Sequence, residues 1–138
     1  MKITYKINEK ILADDFIDIL TRSTLSQRRP VDDLDCMQGM IENANLMITA
    51  WDGEKLVGVA RSMTDFHYAC YLSDLAVDIA YQKLDIGKKL IDFTQRELGP
   101  KCNMILLAAP AAKDYYQHIG FEHHPRCWIL NREKRIRL

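Results

Sequence analysis

Apolar residues alternate through Ile3, Tyr5 and Ile7, a period of two that predicts a half-buried strand over residues 2–7. The period then changes. Ile11, Leu12, Phe16, Ile19 and Leu20 recur at helical spacing and predict a helix over about residues 10–25. Gln27, Arg28, Arg29 and Pro30 break it, because proline drives the residue before it out of helical backbone. Asp32 or Asp33 can then cap a second helix that carries Leu34, Met37, Met40 and Ile41 on one face.

Two apolar runs, residues 46–51 and 55–63, flank Asp52-Gly53, a short-range hairpin signal. Gly58 inside the second run predicts a bulge or a close approach by another backbone. After a turn over residues 64–67, residues 68–77 predict a third consecutive strand. It ends on Leu75, Ala76 and Val77, bounded by Asp74 and Asp78. A polar loop leads into Ile86, Leu90, Ile91 and Phe93, one face of a helix that Gly99-Pro100 stops. A strand that turns through a short loop into a helix gathers free backbone N–H groups at the positive end of the helix dipole. Such a junction holds anions, phosphates above all, and a pyrophosphate is expected at this one.

Residues 104–108 form a wholly apolar run that suits an interior strand. Pro110 opens a helix to about residue 119, and Gly120 ends it. Residues from 121 onward and 127–130 predict a closing strand pair. The order of elements is that of a mixed α/β domain around one sheet, with residues 1–138 as a single domain.

Charge narrows the partners. Lys plus Arg equals Asp plus Glu, at 19 each, so no net field draws the chain to nucleic acid or an anionic membrane, and neither is expected as a partner. The basic residues Arg132, Lys134, Arg135 and Arg137 read as a solvated tail. Cys36, Cys70, Cys102 and Cys127 include no Cys-x-x-Cys pair. His118, His123 and His124 show no ligand spacing, so no metal is expected. The absence of a leader pattern and of an apolar run near 18 residues makes the cytoplasm the expected compartment.

Three segments, taken together and in order, resemble the GNAT superfamily of N-acetyltransferases. The first is the three-stranded run ending in Asp74-Leu75-Ala76-Val77. The second, residues 81–91, is similar to the family's Q/R-x-x-G-x-G/A loop and the helix behind it. The third, residues 112–121, is similar to its A-x-x-x-Y-x-x-x-G-F segment. The strand followed by Tyr81-Gln82 most resembles small-amine enzymes of the glucosamine-phosphate and plant or cyanobacterial serotonin acetyltransferase kinds. The resemblance implies a GNAT-like central mixed sheet of six to seven strands flanked by about four helices. It also implies homodimers as a frequent assembly, for which the closing strands offer an edge.

The implied activity is transfer of the acetyl group of acetyl-CoA to a primary amine of a small molecule, without a metal. In that scheme the main chain of Leu75, Ala76 and Val77 receives the pantetheine. Gln82, Lys83, Leu84, Asp85, Ile86, Gly87 and Lys88 form the pyrophosphate loop, where Gly87 admits close approach. Tyr116 is the implied general acid for the departing sulfur, since a phenol can donate to a thiolate. Asp74 is a candidate to take the ammonium proton or anchor the amine, its alternative being a strand-end carboxylate bonded to neighbouring N–H groups. His67 is a second candidate by its intrinsic pKa. In the connection between the first two helices, which the resemblance implies as part of the acceptor pocket, Arg28 and Arg29 would suit a phosphate or carboxylate on the acceptor, while Asp32, Asp33 and Asp35 would suit a cation; the favoured alternative is a solvated charged loop.

Two positions depart from the family pattern. Asp85 stands where glycine is usual; aspartate tolerates left-handed backbone, but its charge is expected to reduce CoA affinity. Ala109 stands seven residues before Tyr116, where relatives often carry asparagine or aspartate. These departures motivate a second reading, a catalytically idle domain that binds CoA weakly or not at all and serves as an interaction module. Acetylation of a protein amine is a third.

Overall fold

The computed structural model describes residues 2–138, which divide into two compact units, residues 2–107 and 108–138. The first unit contains one five-stranded sheet in the order β1-β2-β3-β4-β5, formed by Ile3–Ile7, Leu46–Asp52, Lys55–Thr64, Ala69–Val77 and Asn103–Ile105. The first four strands pair antiparallel and β5 joins β4 parallel, so the sheet is mixed.

One sheet face is covered by α1 (Ala13–Arg22) and α2 (Leu34–Asn43). Phe16, Ile19 and Leu20 of α1 and Met37 of α2 are fully buried in a cluster with Met47, Leu56, Val59 and Ala76 of the sheet. That is the stripe the helical spacing predicts. Asp15 accepts the N–H of Leu12 at the start of α1. Asp33 accepts that of Cys36 at the start of α2, at 3.0 Å in both cases. The helix α3 (Ile86–Arg96) packs against β2, β3 and β4. It buries Ile86, Leu90, Ile91 and Thr94, while Phe93 turns aside to stack on Tyr5 of β1 at 4.9 Å between centroids.

Gly58 sits beneath α3. A Cβ there would lie 3.1 Å from Leu90 Cδ1 and 3.2 Å from Ile86 Cγ2. The close approach expected at this glycine is therefore made by helix side chains rather than by another backbone. The bulge is present too: Ala50 pairs with Gly58 and Trp51 with Leu56, which leaves Val57 unpaired. The hairpin expected at Asp52-Gly53 is also found, with Asp52 opposite Lys55 and Gly53 at φ +61°.

The chain departs from expectation toward its end. The sheet has five strands, not six to seven. The fifth predicted strand, over residues 104–108, shrinks to Asn103–Ile105, and Ile105 and Leu107 remain about half exposed. In the second unit the predicted helix over residues 110–119 divides into a 3-10 turn (Pro110–Ala112) and a single α-turn, α4 (Tyr115–His118). Residues 121–138 form turns and irregular backbone in place of a strand pair. The apolar run Trp128, Ile129 and Leu130 is exposed. A β-prone stretch is held as strand only by cross-strand neighbours and burial, and neither is supplied here. The helix count of four α-helices among the described residues matches the expectation.

Replacing Gly58 with valine should destabilise the chain by about 1–3 kcal/mol, the usual cost of overpacking a filled core. A urea midpoint equal to that of the unmodified protein would show that α3 does not rest on this position.

Candidate active site

The site is organised around the middle of β4. Its pairing with β3 runs Arg61↔Asp74 and then Ser62↔Leu72, so Ser73 is an extra, bulged residue. On its other side β4 pairs with β5 only through Ala69, Cys70 and Tyr71. Over residues 72–77 that edge has no strand partner among the described residues. Leu75, Ala76 and Val77 thus lie on an open edge whose main-chain groups can bond an extended ligand.

Asp74 is wholly buried. One carboxylate oxygen accepts from Nε of Arg29 and the other from Nε of Arg61. Arg29 also donates from Nη2 to the carbonyl of Ser73 at 2.8 Å and from Nη1 to that of Arg28 at 2.8 Å. Arg61, itself 5% exposed, donates to the Ser73 hydroxyl at 3.1 Å and to the carbonyl of Met40 on α2 at 2.9 Å. Arg61 is absent from the sequence-derived candidates. Its signal was an arginine inside the apolar run of residues 55–63, which has to find a buried carboxylate or become exposed.

Beyond Val77 the chain is fastened twice. The N–H of Asp78 donates to the carbonyl of Val57 at 2.9 Å, and its carboxylate accepts from Ala80 N–H at 2.8 Å and Arg22 Nη1 at 2.6 Å. Burial works to raise the Asp78 pKa, but the Ala80 N–H and the Arg22 guanidinium prevail and hold it below the usual carboxylate value. The Tyr81 hydroxyl then donates to Asp52 at 2.6 Å on the β2–β3 hairpin.

The exposed loop that follows carries two non-glycine residues in left-handed backbone, Lys83 at φ +72° and Asp85 at φ +59°. Asp85 precedes α3 and its side chain makes no capping bond. The first helical hydrogen bond is Lys89 N–H to the Asp85 carbonyl at 3.0 Å, so the N–H groups of Ile86, Gly87 and Lys88 precede the ladder. Those donors, the helix dipole and the exposed ammonium groups of Lys83 and Lys88 suit a diphosphate. The Asp85 carboxylate opposes it. That side chain is 73% exposed and stands 3.9 Å from Lys88 Nζ.

Arg29 and Asp74, proposed apart from the sequence, are in direct contact. Arg28 is exposed at the end of the 3-10 turn Leu25–Arg28. His67 lies in the turn before β4, at the opposite end of that strand from Leu75, Ala76 and Val77. It belongs to a turn organised by Asp65, whose Oδ1 accepts the N–H groups of His67, Tyr68 and Ala69 at 2.8–3.0 Å. A surface hollow of about 490 Å³ lies between α1 and the β2–β3 hairpin, and its lining includes none of residues 72–88.

In the second unit, Tyr116 is half-buried on α4, edge-on to Phe121 at 5.5 Å and to Tyr115 at 5.3 Å. Burial first, and Tyr115 second, push its phenol pKa upward, so the hydroxyl keeps its proton at neutral pH.

Residues 22–127 match the family model described as an acetyltransferase (GNAT) domain. The chain belongs to the GNAT acetyltransferase family. Among curated relatives, it is 36% identical over 84 residues to GCN5-related N-acetyltransferase 2, chloroplastic, from Arabidopsis thaliana, over 54% of this chain and 31% of that protein. The chain spans about a third of the length of the first curated relatives it matches. Among solved structures, a GNAT family acetyltransferase from Streptococcus pneumoniae TIGR4 superposes with a TM-score of 0.75 at 21% identity, over 95% of this chain and 99% of that one. Aminoglycoside N-acetyltransferase AAC(6′)-Iy, in complex with CoA, superposes with a TM-score of 0.72 at 17% identity over 96% of each chain. These two likenesses establish the GNAT fold.

The Asp65 turn makes a prediction about pH. Three backbone N–H donors lower the Asp65 pKa from 3.8 to about 2. A depressed folded-state pKa means the turn's contribution is complete above about pH 4 and is lost as pH falls toward 2. Carboxyl NMR titration should place the Asp65 midpoint near 2, and a midpoint near 4 would contradict the turn as described.

Proposed function

We propose that this GNAT domain moves the acetyl group of acetyl-CoA to a primary amine of a small molecule, by direct attack of the amine nitrogen on the thioester carbon. The observation that carries the reading is the β4–α3 junction: a strand unpaired along one edge over residues 72–77, running into a helix start rich in free donors. In this reading the main chain of Leu75, Ala76 and Val77 aligns the pantetheine arm. The loop from Gln82 to Lys88 binds the pyrophosphate. Membership of the family and a fold shared with an aminoglycoside acetyltransferase that binds CoA support it.

A C–N bond forms as the C–S bond breaks, the nitrogen gives up a proton, and the sulfur takes one. Tyr116 is the proposed donor to sulfur, supported by its place in the Tyr-x-x-x-Gly-Phe segment and by a phenol that burial keeps protonated. Asp74 is better read as an organiser than as the base. Both of its oxygens are already held by guanidinium groups, and accepting a proton there would break a buried ion pair. The cytoplasm is kept as the proposed compartment, although the Arabidopsis relative is named as chloroplastic. No helix among the described residues is long and apolar enough to cross a membrane.

The second reading, an idle domain that binds CoA weakly or not at all, is motivated by Ala109 and by the Asp85 carboxylate at the helix start. Thermal unfolding with and without acetyl-CoA separates the two. A ligand at about 100 times its dissociation constant adds roughly 2.7 kcal/mol, so a clear upward shift is expected at millimolar acetyl-CoA, and none would leave the idle reading standing.

Two substitutions test the roles assigned. Asp85→Gly should tighten acetyl-CoA binding by about 1 kcal/mol, the charge term for an exposed carboxylate near a phosphate in water; unchanged or weaker binding by calorimetry would refute it. Tyr116→Phe should lower turnover by about 10²–10⁴-fold across a panel of aromatic amines, polyamines and amino sugars in a thiol-release assay. Undiminished turnover would remove Tyr116 from the reaction.

A further inference from the structure

Ser73 is the bulged residue of β4, and both of its polar oxygens are held by guanidinium groups. The carbonyl accepts from Arg29 and the hydroxyl from Arg61. The same two arginines grip opposite oxygens of Asp74, the next residue. The parallel pairing with β5 ends at Tyr71, two residues before the bulge, and the open edge continues beyond it. A bulge bends its strand and leaves a carbonyl that needs a donor from outside the ladder. At this bulge, that donor comes from the α1–α2 connection.

The two arginines are not equivalent. Arg61 belongs to β3 and is fixed by the ladder and by the Met40 carbonyl on α2. Arg29 follows a 3-10 turn, and its side chain is 21% exposed. We propose that Arg29 is a positioning residue for the acetyl donor. By holding the Ser73 carbonyl and one oxygen of Asp74, it fixes the bend that opens β4 from β5 and so sets the slot for the pantetheine arm. The inference rests on reading the β4–α3 junction as the acetyl-CoA site. It makes the α1–α2 connection and the donor slot one mechanical unit, so that order in either favours order in the other.

Arg29→Gln removes the charge and the two-pronged grip. Asp74 keeps Arg61, and Leu25 and Val31 still pack the connection against the core, so the variant is expected to fold. Acetyl-CoA and ADP are the two calorimetric probes, because ADP carries the diphosphate without the pantetheine arm. Arg29→Gln should weaken acetyl-CoA binding about tenfold, the scale of one lost charged hydrogen bond, while ADP affinity stays within about twofold. Arg29→Lys should fall between, since a point charge cannot span both acceptors. Amide exchange over residues 72–77 should be faster in unliganded Arg29→Gln than in the unmodified chain. Equal losses for both probes would mean general loosening and would overturn the proposal, as would no loss for either. If the unmodified chain binds neither probe, the acetyl-CoA reading itself fails. Unliganded exchange then decides the latch, and unchanged rates over residues 72–77 overturn it.

Discussion

A carboxylate sealed inside the sheet governs the geometry of this domain. Asp74 has no exposure to solvent, so it must be met by cations, and two arginines from different elements converge on it. Such a cluster is a poor source of net stability, because the cost of drying three charges offsets much of their attraction. Its value lies in direction. Planar guanidinium groups accept few geometries, so satisfying Asp74 and the Ser73 bulge together leaves little freedom in how β3, β4, α2 and the α1–α2 connection meet.

The junction that follows is stiffened by other means. Asp78 ties the end of β4 to β3 and α1, and Tyr81 ties the loop to the β2–β3 hairpin. The absence of a side chain at Gly58 lets Ile86 and Leu90 settle onto the sheet, which aims the start of α3. A rigid frame therefore surrounds an exposed loop with two left-handed residues. In the proposed acetyl-CoA reading, that arrangement presents backbone donors without spending ligand-binding energy on ordering them.

The features proposed to face the donor, an open strand edge and a helix start, are made of main chain and tolerate many side chains. Asp85 illustrates this: an aspartate occupies left-handed backbone where glycine is usual, and the loop keeps its turn into the helix. The match to curated relatives covers about a third of their length, so partners and acceptors recognised by their remaining parts do not carry over to this chain.

The residues alone determined the local elements. Period-two and period-3.6 patterns located β1, α1, α2 and α3, the Asp52-Gly53 signal located the hairpin, and Gly58 marked the close approach. Each depends on neighbours within a few positions, which one chain displays openly. The free N–H groups gathered at the β4–α3 junction were legible for the same reason, because a strand, a loop and a helix in succession create them. Tertiary structure decided the rest. An apolar run does not say whether a partner strand lies beside it, so the expected closing strands became irregular and the sheet stopped at five. Nor does a charge name its counter-charge. Arg29, Arg61 and Asp74 lie 32 and 13 residues apart along the chain, and only a β-bulge together with the crossing of α2 brings them within bonding distance.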